Sequence, residues 1–581
     1  MNKFGKSVFL LASLPLLLAG CGGTKVVYDL DNFLPNGTEE NPYQIVKEPV
    51  TIKIFAPHSS GNPEYKDLRM FQYLSEVTNL RFEFTTPDTS AYANRRAAVW
   101  EDKKYKPDLF LFNNPISEQV QYAENHFDVL TPFNDANYTD STGKVGSLID
   151  EYMPTYKALL ASNFGIDPKK EDANKTALIS DGKMYCSLSA KDVARDLTYK
   201  MFVNNVWIQN IYASYPNSYC YTHSIDDASK ILTIDDYVGV LTDFSTFDAN
   251  NNGKINDEIP VSSKAFEYLR NFILQSYGYV SYSCEIESDG SRFTYVPKTD
   301  AYRNYLKTAS SMWASGLMDR STPENKTDSL MATNGKRLGS FVAAAPYIIT
   351  SQQNDPNNSK EDGTPYRYDE EYVTVAPLLS SSYSGPRLQL GLGYFRPDGA
   401  CIPTASSYKR EVARLLDIMY GELGTQLISY GVEGTDWTWD DQSKTSWTFH
   451  VPSTWTGNQE EYRGTITPNV GSASALYWSN EFVGKMNDEV ITRLNKQSEI
   501  YLPYLKTPEP AEYKFTSKEY EQISTIKASL DNQITYYEAS FITGQLDPTS
   551  DKDWNDYLST INRFKAGELE NIYNAMLQRY R

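Results

Sequence analysis

Oxygen-bearing side chains recur at close intervals between residues 248 and 258, a spacing that can surround one cation. The series is Asp248, Asn250, Asn252, Asn256, Asp257 and Glu258. Gly253 permits a sharp turn among them, and the main-chain carbonyl of Lys254 adds a further oxygen. This pattern is typical of an EF-hand loop, whose hard oxygen ligands select Ca²⁺. Its final position, normally a bidentate Glu, is Ile259, so Asp257 or Glu258 must supply the closing carboxylate. The alternative is an Asn- and Gly-rich turn without metal.

A cysteine directly follows the apolar N-terminal segment and could carry a lipid. Two lysines precede an apolar stretch at 8–18, which is too short to span a bilayer as a helix and has the dimensions of a secretory signal. The Leu-Ala-Gly-Cys sequence at 18–21 resembles a bacterial lipobox, whose cysteine is diacylated and exposed by cleavage. We therefore expect Cys21 to anchor the protein to the lipid bilayer, on the extracellular or periplasmic face. The alternative is a cleaved signal with an incidental cysteine.

Four further cysteines allow three disulfide pairings: Cys186, Cys220, Cys284 and Cys401. Export makes disulfides possible, but the irregular spacing selects no pairing and a chain of this length needs none for stability. The pairing therefore stays open.

Composition and charge exclude several functions. The chain has 581 residues, 40% of them hydrophobic, which is too long for one compact core and too apolar for disorder. With 55 Lys and Arg against 74 Asp and Glu, the formal net charge is -19, which disfavours nucleic acid as a partner. The sequence contains no GxxxxGK[ST], HExxH, GxSxG or CxxC motif, so nucleotide hydrolysis, zincin chemistry and a nucleophile elbow lose support.

The order of predicted elements near the N-terminus indicates an α/β fold. Alternating apolar residues predict strands at 50–56 and 82–84, and helical spacing predicts a helix at 70–77 between them. The apolar run at 109–112 predicts a short strand buried on both faces. This succession is typical of a parallel sheet covered by helices, in which ligands bind beyond the carboxyl ends of the strands.

Later segments predict further helices and one long loop. Thr233 is expected to cap a helix, with Asp236 at the capping-box position. Helical spacing also predicts helices around 412–419 and 554–561. Residues 453–473 are rich in Thr, Gly, Asn and Pro, which favours a loop or a connection between lobes.

Six segments in order along the chain resemble one protein family. They are LAGC at 18–21, DGKMY at 181–185, NNVWI at 204–208, the calcium-type loop ending in DEIP at 257–260, YGVEGTDW at 430–437, and FITG at 541–544 ahead of Trp554. Together they resemble the family 1 extracellular solute-binding proteins of carbohydrate ABC transporters, in particular the lipoprotein branch that includes oligosaccharide and alginate binders. The likeness extends from about residue 50 to the C-terminus. Two departures are Asn204-Asn205, where the family has Arg-x-Asp, and a calcium loop one residue longer than its commonest form.

The resemblance implies a type II periplasmic-binding-protein fold, with two α/β lobes joined by hinge crossovers and a sugar bound between them. The implied divisions are a signal peptide at 1–20, a lipidated cysteine and tether at 21–48, an N-terminal lobe at 49–197 and 388–440, and a C-terminal lobe at 198–387 and 441–581 that carries the calcium-type loop 248–260. Crossovers are expected near 195–202 and 372–377. The implied partners are a carbohydrate ligand and the permease of an ABC transporter, and no catalytic residue is implied.

A sugar site needs aromatic platforms and hydrogen-bonding groups, because sugars present apolar faces and a rim of hydroxyls. The candidate ligand contacts are His58, Asn114 and Tyr394 in the N-terminal lobe and Tyr282, Tyr347 and Trp478 in the C-terminal lobe. The resemblance places Trp478 on a helix that offers its ring to the cleft. For any single aromatic residue, the alternative is a packed core position.

Two other functions are compatible with these observations. An exported glycoside hydrolase would need two carboxylates at a fixed separation, and acidic residues are plentiful. A glycan-binding lipoprotein that works without a transporter would share the sugar site and lack the permease. Product formation from oligosaccharides would identify the first, and the absence of neighbouring permease genes would favour the second.

Overall fold

The computed structural model describes residues 30–581 except 60, 103–105, 113, 125–128, 141–142, 163–171, 256, 264, 323–336, 344–348, 350–366, 457–458 and 469–475. Three predicted site residues, Cys21, Asn256 and Tyr347, lie outside the described residues. No helix in the described part of the chain combines the length and apolar character needed to cross a membrane.

The described helices are mostly short, with one long helix near the C-terminus. They are α1 Arg69–Thr78, α2 Tyr92–Glu101, α3 Ile116–Glu124, α4 Leu148–Tyr152, α5 Pro154–Ala161, α6 Ala173–Ala177, α7 Asn205–Ser214, α8 Tyr219–Thr222, α9 Ile234–Thr246, α10 Ala265–Leu274, α11 Asp300–Ala314, α12 Tyr368–Glu371, α13 Lys409–Tyr420, α14 Glu422–Tyr430, α15 Gln459–Ile466, α16 Asn480–Val483, α17 Glu489–Ser498, α18 Ser517–Ile542, α19 Asp551–Arg563 and α20 Ala566–Arg579. The predicted helices match α1, α9, α13 and α19, and α9 has the expected capping box of Thr233 and Asp236. The segment predicted as a loop at 453–473 is wrong in part, because α15 lies within it.

The strands are short and distributed over several sheets. They are β1 Val50–Phe55, β2 Leu80–Thr85, β3 Leu109–Leu111, β4 Thr139–Asp140, β5 Gly143–Lys144, β6 Ser189–Lys191, β7 Lys200–Asn204, β8 Ser262–Ser263, β9 Cys284–Ile286, β10 Phe293–Tyr295, β11 Ser340–Ala343, β12 Tyr372–Thr374, β13 Gln389–Leu390, β14 Phe395–Arg396, β15 Ala400–Cys401, β16 Trp437–Trp439, β17 Trp447–Phe449, β18 Tyr477–Trp478 and β19 Leu505–Lys506.

A four-stranded sheet of order β15–β3–β1–β2 organises the N-terminal part of the chain. β1 pairs in parallel with both β2 and β3, whereas β15 joins the edge of β3 antiparallel. Ile52 and Ile54 of β1 point into the core, and all three residues of β3 are buried. The parallel sheet and the buried strand confirm the α/β fold predicted from the apolar patterns.

A second four-stranded sheet, of order β12–β7–β11–β8, organises the middle of the chain. Its central strand β7 is buried at all five positions and runs antiparallel to β11 and β12. Asn204 ends this strand and caps α7, since its Oδ1 accepts a hydrogen bond from the Trp207 main-chain N at 3.1 Å. Asparagine is a favoured N-cap residue, so the departure from Arg-x-Asp at this position has a local structural role.

Apolar side chains form two large cores, and each core is discontinuous in sequence. The first lobe joins residues 33–197 to residues 394–491, and the second lobe joins residues 201–378 to residues 515–577. The boundary expected at residue 440 differs from this packing, because the first core extends to Ile491. Trp447 stacks on Phe482 with ring centroids 4.6 Å apart, so contacts between aromatic residues hold the segment after residue 440 in the first lobe.

Three chain segments cross between the lobes side by side. Leu392 N donates to Leu197 O at 2.9 Å, and Gln389 Nε2 donates to Tyr199 O at 2.7 Å. β13 also pairs in parallel with β19. A narrow bridge of adjacent extended segments is a structure about which two packed bodies can rotate, so these three crossings form a hinge.

Lys200 is buried at the first position of β7, directly after the first hinge segment. Its ammonium group donates to the carbonyl oxygens of Arg195 and Thr198 and has no exposure to solvent. Burial lowers the pKa of Lys200 to about 7, although the nearby Asp196 carboxylate opposes the shift. Because an unfolded chain keeps a lysine protonated to about pH 10.4, the buried amine destabilises the fold as the pH falls from about 10 to 7 and adds no further penalty below that.

We expect Lys200→Met to remove this pH dependence. The stability of the variant relative to the natural chain should rise by about 1.4 kcal/mol for each pH unit between pH 10 and pH 7. Urea unfolding of both proteins at pH 7, 8, 9 and 10 measures the difference directly. A difference that is constant over this range would mean that Lys200 stays charged in the folded state.

Candidate ligand cleft between the two lobes

A cavity of about 690 Å³ lies between α3 of the first lobe and the beginning of α18 of the second. Its lining consists of Ser117, Gln121, Glu124, Ser517, Lys518, Tyr520 and Glu521. Hydroxyl, amide, carboxylate and ammonium groups surround one aromatic ring in this lining. The volume falls in the usual range for small-molecule sites, and the mixture of groups can hydrogen-bond a hydroxylated ligand.

Glu124 connects the two lobes at the rim of the cavity. One carboxylate oxygen accepts from the Ser180 hydroxyl at 2.8 Å, and the other accepts from the Ser517 main-chain N at 2.8 Å. Ser517 is the first residue of α18, a helix with 26 residues. A carboxylate is favourable there because the helix N-terminus carries unsatisfied N–H groups and partial positive charge. This contact holds the lobes together on the side of the cavity formed by α3 and α18.

The same face of α18 continues from the cavity toward Tyr282. Tyr520, Lys527 and Asp531 are separated by seven and four positions and therefore share one side of the helix. Lys527 Nζ donates to Ser283 Oγ at 3.1 Å, which places the neighbouring, partly buried Tyr282 along this wall. Tyr282 thus lies near the side of α18 that carries Tyr520, outside the cavity lining itself.

A buried ion pair between Arg270 and Glu538 contacts the Tyr282 ring. The Arg270 guanidinium lies 3.8 Å from the centroid of this ring. Its Nη1 lies 2.9 and 2.8 Å from the two carboxylate oxygens of Glu538 on α18, and Tyr305 OH donates to Glu538 at 2.8 Å. Arg270 and Glu538 are both almost completely buried. A cation stacked against an aromatic face fixes the position of the ring, so this network orients Tyr282.

Two further tyrosines stand at the hinge end of the second lobe. The rings of Tyr199 and Tyr268 lie 4.7 Å apart and are both partly buried. Tyr199 directly precedes β7 and Tyr268 lies in the first turn of α10, which follows β8, so both are at the sheet edge that faces the hinge. Burial, reinforced by Tyr268, raises the pKa of Tyr199 to about 12, and its hydroxyl is therefore a neutral hydrogen-bonding group. Neither residue is among the candidates predicted from the sequence, although both positions next to strand ends are of the kind that the sequence pattern indicates.

Two of the three N-terminal candidates are held within the structure of the first lobe itself. Asn114 is 2% exposed, and its Nδ2 donates to Gly399 O at 2.9 Å beneath α3. His58 Nε2 lies 3.1 Å from Pro63 O within its own loop, and its ring meets the edge of Tyr65. The Asn114 amide N and the His58 ring therefore have partners inside the first lobe, while Asn114 Oδ1 is buried without one.

Tyr394 and Trp478 belong to the first core. Trp478 is 2% exposed and lies on β18, where the sequence analysis expects a helix of the other lobe. The guanidinium groups of Arg463 and Arg195 lie 5.2 and 5.8 Å from its ring centroid. Trp478 therefore has packing partners where a ligand platform needs an open face.

The loop at 248–258 folds as a tight turn of converging oxygens. Asp248 accepts hydrogen bonds from the main-chain N of Asn252 at 2.9 Å and of Gly253 at 2.8 Å. Asn252 Oδ1 accepts from the Lys254 N at 2.8 Å. Gly253 has a φ of +80°, which confirms that glycine permits the turn at this position.

Two carboxylate oxygens of this loop are buried without a hydrogen-bond partner, Asp257 Oδ1 and Glu258 Oε2. Glu258 Oε1 accepts from the Ala249 N at 3.0 Å, so this side chain folds back over the start of the loop. Burial and the neighbouring Asp257 raise the pKa of Glu258. Among the described residues, no three His, Cys, Asp or Glu side chains form a metal-binding group. The second oxygen of each carboxylate is bonded, by Asn252 Nδ2 in Asp257 and by Ala249 N in Glu258, and Asp257 also lies 3.8 Å from Arg337 Nε. The two remaining oxygens fit a cation, because a buried polar atom without a partner is unfavourable.

Comparisons with known proteins identify the fold. No protein-family model and no curated protein matches the chain. The S. pneumoniae ABC-transporter substrate-binding protein FusA, solved with kestose, is similar with a TM-score of 0.65 and 19% identity, covering 91% of this chain and 99% of FusA. An extracellular solute-binding protein from Bifidobacterium longum subsp. infantis is similar with a TM-score of 0.69 and 16% identity, covering 94% of this chain and 99% of that protein. The alginate-binding protein AlgQ2, solved without calcium ion, is similar with a TM-score of 0.64 and 15% identity, covering 93% of this chain and 100% of AlgQ2.

These likenesses extend over nearly the whole of each chain, so they concern the complete two-lobed arrangement. They confirm the fold class that the sequence analysis predicted. A further similar structure is an EF-hand mutant of FusA in complex with fructo-nystose, with a TM-score of 0.65 and 18% identity, covering 91% of this chain and 99% of that protein.

Proposed function

We propose that this chain, which has the fold of ABC-transporter substrate-binding proteins, is a family 1 extracellular solute-binding protein that captures a neutral oligosaccharide between its lobes. The observation that carries the proposal is the polar cavity bounded by α3 and α18, at the interface of two lobes joined by a three-segment hinge. Similar structures are named as binders of kestose, fructo-nystose and alginate. The net charge of -19 favours a neutral ligand over a polyanion.

The cleft offers the chemistry that sugar recognition requires. Glu124, Gln121 and Lys518 of the cavity lining can bond to hydroxyl groups. Tyr282, Tyr199 and Tyr268 lie outside that lining and would stack on the C–H faces of sugar rings of a ligand that extends beyond it. A ligand that touches both lobes stabilises the closed state by its differential affinity for the two states. Binding alone explains every part of this site, so the proposal assigns no catalytic residue.

The proposal includes membrane anchoring through Cys21 and delivery of the sugar to an ABC permease. The lipobox-like sequence at 18–21 supports the anchor, since one diacylglyceryl cysteine carries two acyl chains and two chains suffice for stable attachment. The fold supports delivery, since similar structures are named as ABC-transporter substrate-binding proteins.

Calorimetric titration with fructo-oligosaccharides, human-milk-type oligosaccharides and alginate oligomers tests the function. We expect binding of a neutral oligosaccharide, stabilisation of the fold by about 2.7 kcal/mol at 100 times Kd, and chromatographic recovery of the unchanged sugar. Binding of alginate alone would overturn the preference for neutral ligands. Hydrolysis abolished by one carboxylate substitution would replace the receptor with a glycoside hydrolase.

We also propose that the loop at 248–258 holds a structural Ca²⁺. Asp248, Asn250, Asn252 and the Lys254 carbonyl would supply oxygens from the turn, with Glu258 and Asp257 as the closing carboxylates. Bound Ca²⁺ would give the two unpartnered carboxylate oxygens a ligand and connect α9 to the strand that follows the loop. Asn256 completes the predicted set from outside the described residues.

Removal of this cation should lower the melting temperature of the natural chain by roughly 5–10 °C, because the metal binds only the folded loop. The double variant Asp248→Ala/Glu258→Gln should melt lower and show no response to a chelator. Asp289→Ala is the matched control, since Asp289 also bonds a turn N–H, that of Ser291 at 2.8 Å, in a different loop. A natural chain with no chelator response and no bound metal by elemental analysis would show that the loop is only a turn.

A further inference from the structure

Cys186 and Cys401 face each other in the first lobe. Their backbones form an antiparallel bridge. The hydrogen bond is made by their neighbours, since the N of Ser187, which follows Cys186, donates to the O of Ala400, which precedes Cys401, at 2.8 Å. This pattern makes 186 and 401 a non-hydrogen-bonded pair, in which Cα atoms are about 4.5 Å apart and side chains are closest. A disulfide needs Cα atoms roughly 4.4–6.8 Å apart, so the backbone already satisfies its requirement.

The side chains of the pair meet inside a small aromatic core. Both cysteines are buried beside Phe55, Phe110 and Tyr185, at 0% and 1% exposure for Cys186 and Cys401. The Cys401 side chain is a hydrogen-bonding neighbour of the Cys186 thiol, and burial raises the pKa of that thiol. A thiol in such surroundings is a poor nucleophile and a poor metal ligand, which leaves the partner thiol as its relevant chemical neighbour.

We propose that Cys186 and Cys401 form a disulfide in the exported protein. This inference rests on the proposed function only through export, because disulfides persist in oxidising compartments. Each thiol loses its hydrogen and a bond forms between the two sulfur atoms. The two electrons and two protons pass to an external protein or small-molecule disulfide, whose own S–S bond breaks to give two thiols.

The other two described cysteines have different surroundings. Cys220 lies in α8 with its main-chain N bonded to Asp243, and Cys284 lies in β9 near Glu570 and Glu509. Both belong to the second core, whereas the proposed pair belongs to the first lobe. Of the three pairings that the sequence leaves open, the structure supports the one that joins Cys186 to Cys401.

The bond would connect the chain just before it leaves the first lobe to the chain just after it returns. Cys186 precedes β6 and the first hinge crossing, and Cys401 ends β15, which follows the second crossing. The resulting loop contains residues 187–400, including most of the second lobe. Because a crosslink that closes a long loop restricts the unfolded chain strongly, this bond would stabilise the first lobe. Because both cysteines are buried in the folded protein, an external oxidant can reach the two thiols only before the surrounding core has packed.

Peptide mapping under non-reducing conditions tests the pairing on the full chain purified from the envelope of an expressing bacterium. We expect one linked pair of peptides containing Cys186 and Cys401, lighter by two hydrogens than the separate thiol peptides and lost after reduction. Cys220 and Cys284 should be alkylated as free thiols. Alkylation of both Cys186 and Cys401, or a link from either to another cysteine, would overturn the proposal.

Thermal unfolding provides a second measurement. Reductant should lower the melting temperature of the oxidised natural chain by about 5–10 °C. Cys186→Ser/Cys401→Ser should be insensitive to reductant, while the matched variant Cys220→Ser/Cys284→Ser should keep the response. If either variant fails to fold, the mapping of the natural chain still decides. Sugar binding is titrated separately, so free thiols in a protein that binds sugar would reject the disulfide and leave the proposed function intact.

Discussion

Glu538→Ala should destabilise the second lobe by about 3–5 kcal/mol, the usual result of breaking a buried ion pair by removing one partner. The substitution leaves the Arg270 guanidinium charged and buried, and the Tyr305 hydroxyl loses its acceptor. Urea unfolding followed by tryptophan fluorescence measures the loss. The second lobe contains Trp207, Trp313 and Trp554, which report on its unfolding.

Two controls separate the buried charge from a general effect of substitution. Asp556→Ala removes an exposed pair with Lys552 and should leave stability unchanged, since surface ion pairs contribute little. The double variant Arg270→Met/Glu538→Met removes both charges and should recover most of the lost stability. If Glu538→Ala unfolds at the same urea concentration as the natural chain, the pair is not desolvated in solution.

Tyr282→Ala should weaken oligosaccharide binding by about 1–3 kcal/mol, roughly a tenfold to hundredfold increase in Kd. The substitution removes the ring that stands along the α18 wall and leaves the Arg270–Glu538 pair in place. Calorimetric titration with the ligand identified by the panel gives the change in Kd. The melting temperature of the unliganded variant shows whether the fold is retained.

Tyr536→Ala is the matched control, because this tyrosine lies on the same helix α18 but is 61% exposed. Tyr282→Phe keeps the ring and should bind nearly as well as the natural chain if stacking is the main contribution. Unchanged affinity in a folded Tyr282→Ala protein would move the stacking platform to another ring, first to the pair of Tyr199 and Tyr268 at the hinge.

The sequence predicted the features that depend on near neighbours along the chain. The alternation in β1 and β2, the buried run in β3 and the capping box of α9 are set by residues within one element. The oxygen spacing and Gly253 likewise predicted the tight turn at 248–258. The sequence left Asp257 and Glu258 open as the closing carboxylate, and it is Glu258 that accepts a hydrogen bond from the start of the loop. Local physical chemistry was sufficient in each case.

The remaining features depend on contacts between distant segments, which local patterns do not contain. Trp478 was expected on a helix facing the cleft, but it lies on a short strand paired with β6 and beneath two arginines. The support of Tyr282 by Arg270 and Glu538 joins residues 268 positions apart. The extension of the first core beyond residue 440 similarly depends on Trp447 and Phe482 stacking. A tryptophan or an acidic residue in isolation does not indicate these partners.

The interleaving of the two lobes along the chain has a consequence for folding kinetics. The first core needs residues on both sides of the second lobe, and the second core needs α18 to α20 at the C-terminal end. Neither core can therefore be completed before synthesis has entered the last quarter of the polypeptide. Contacts between such distant segments slow folding, because loop closure costs entropy before the contacts form. The nascent chain consequently stays unfolded for longer than a chain of two consecutive domains, which would favour the export proposed above.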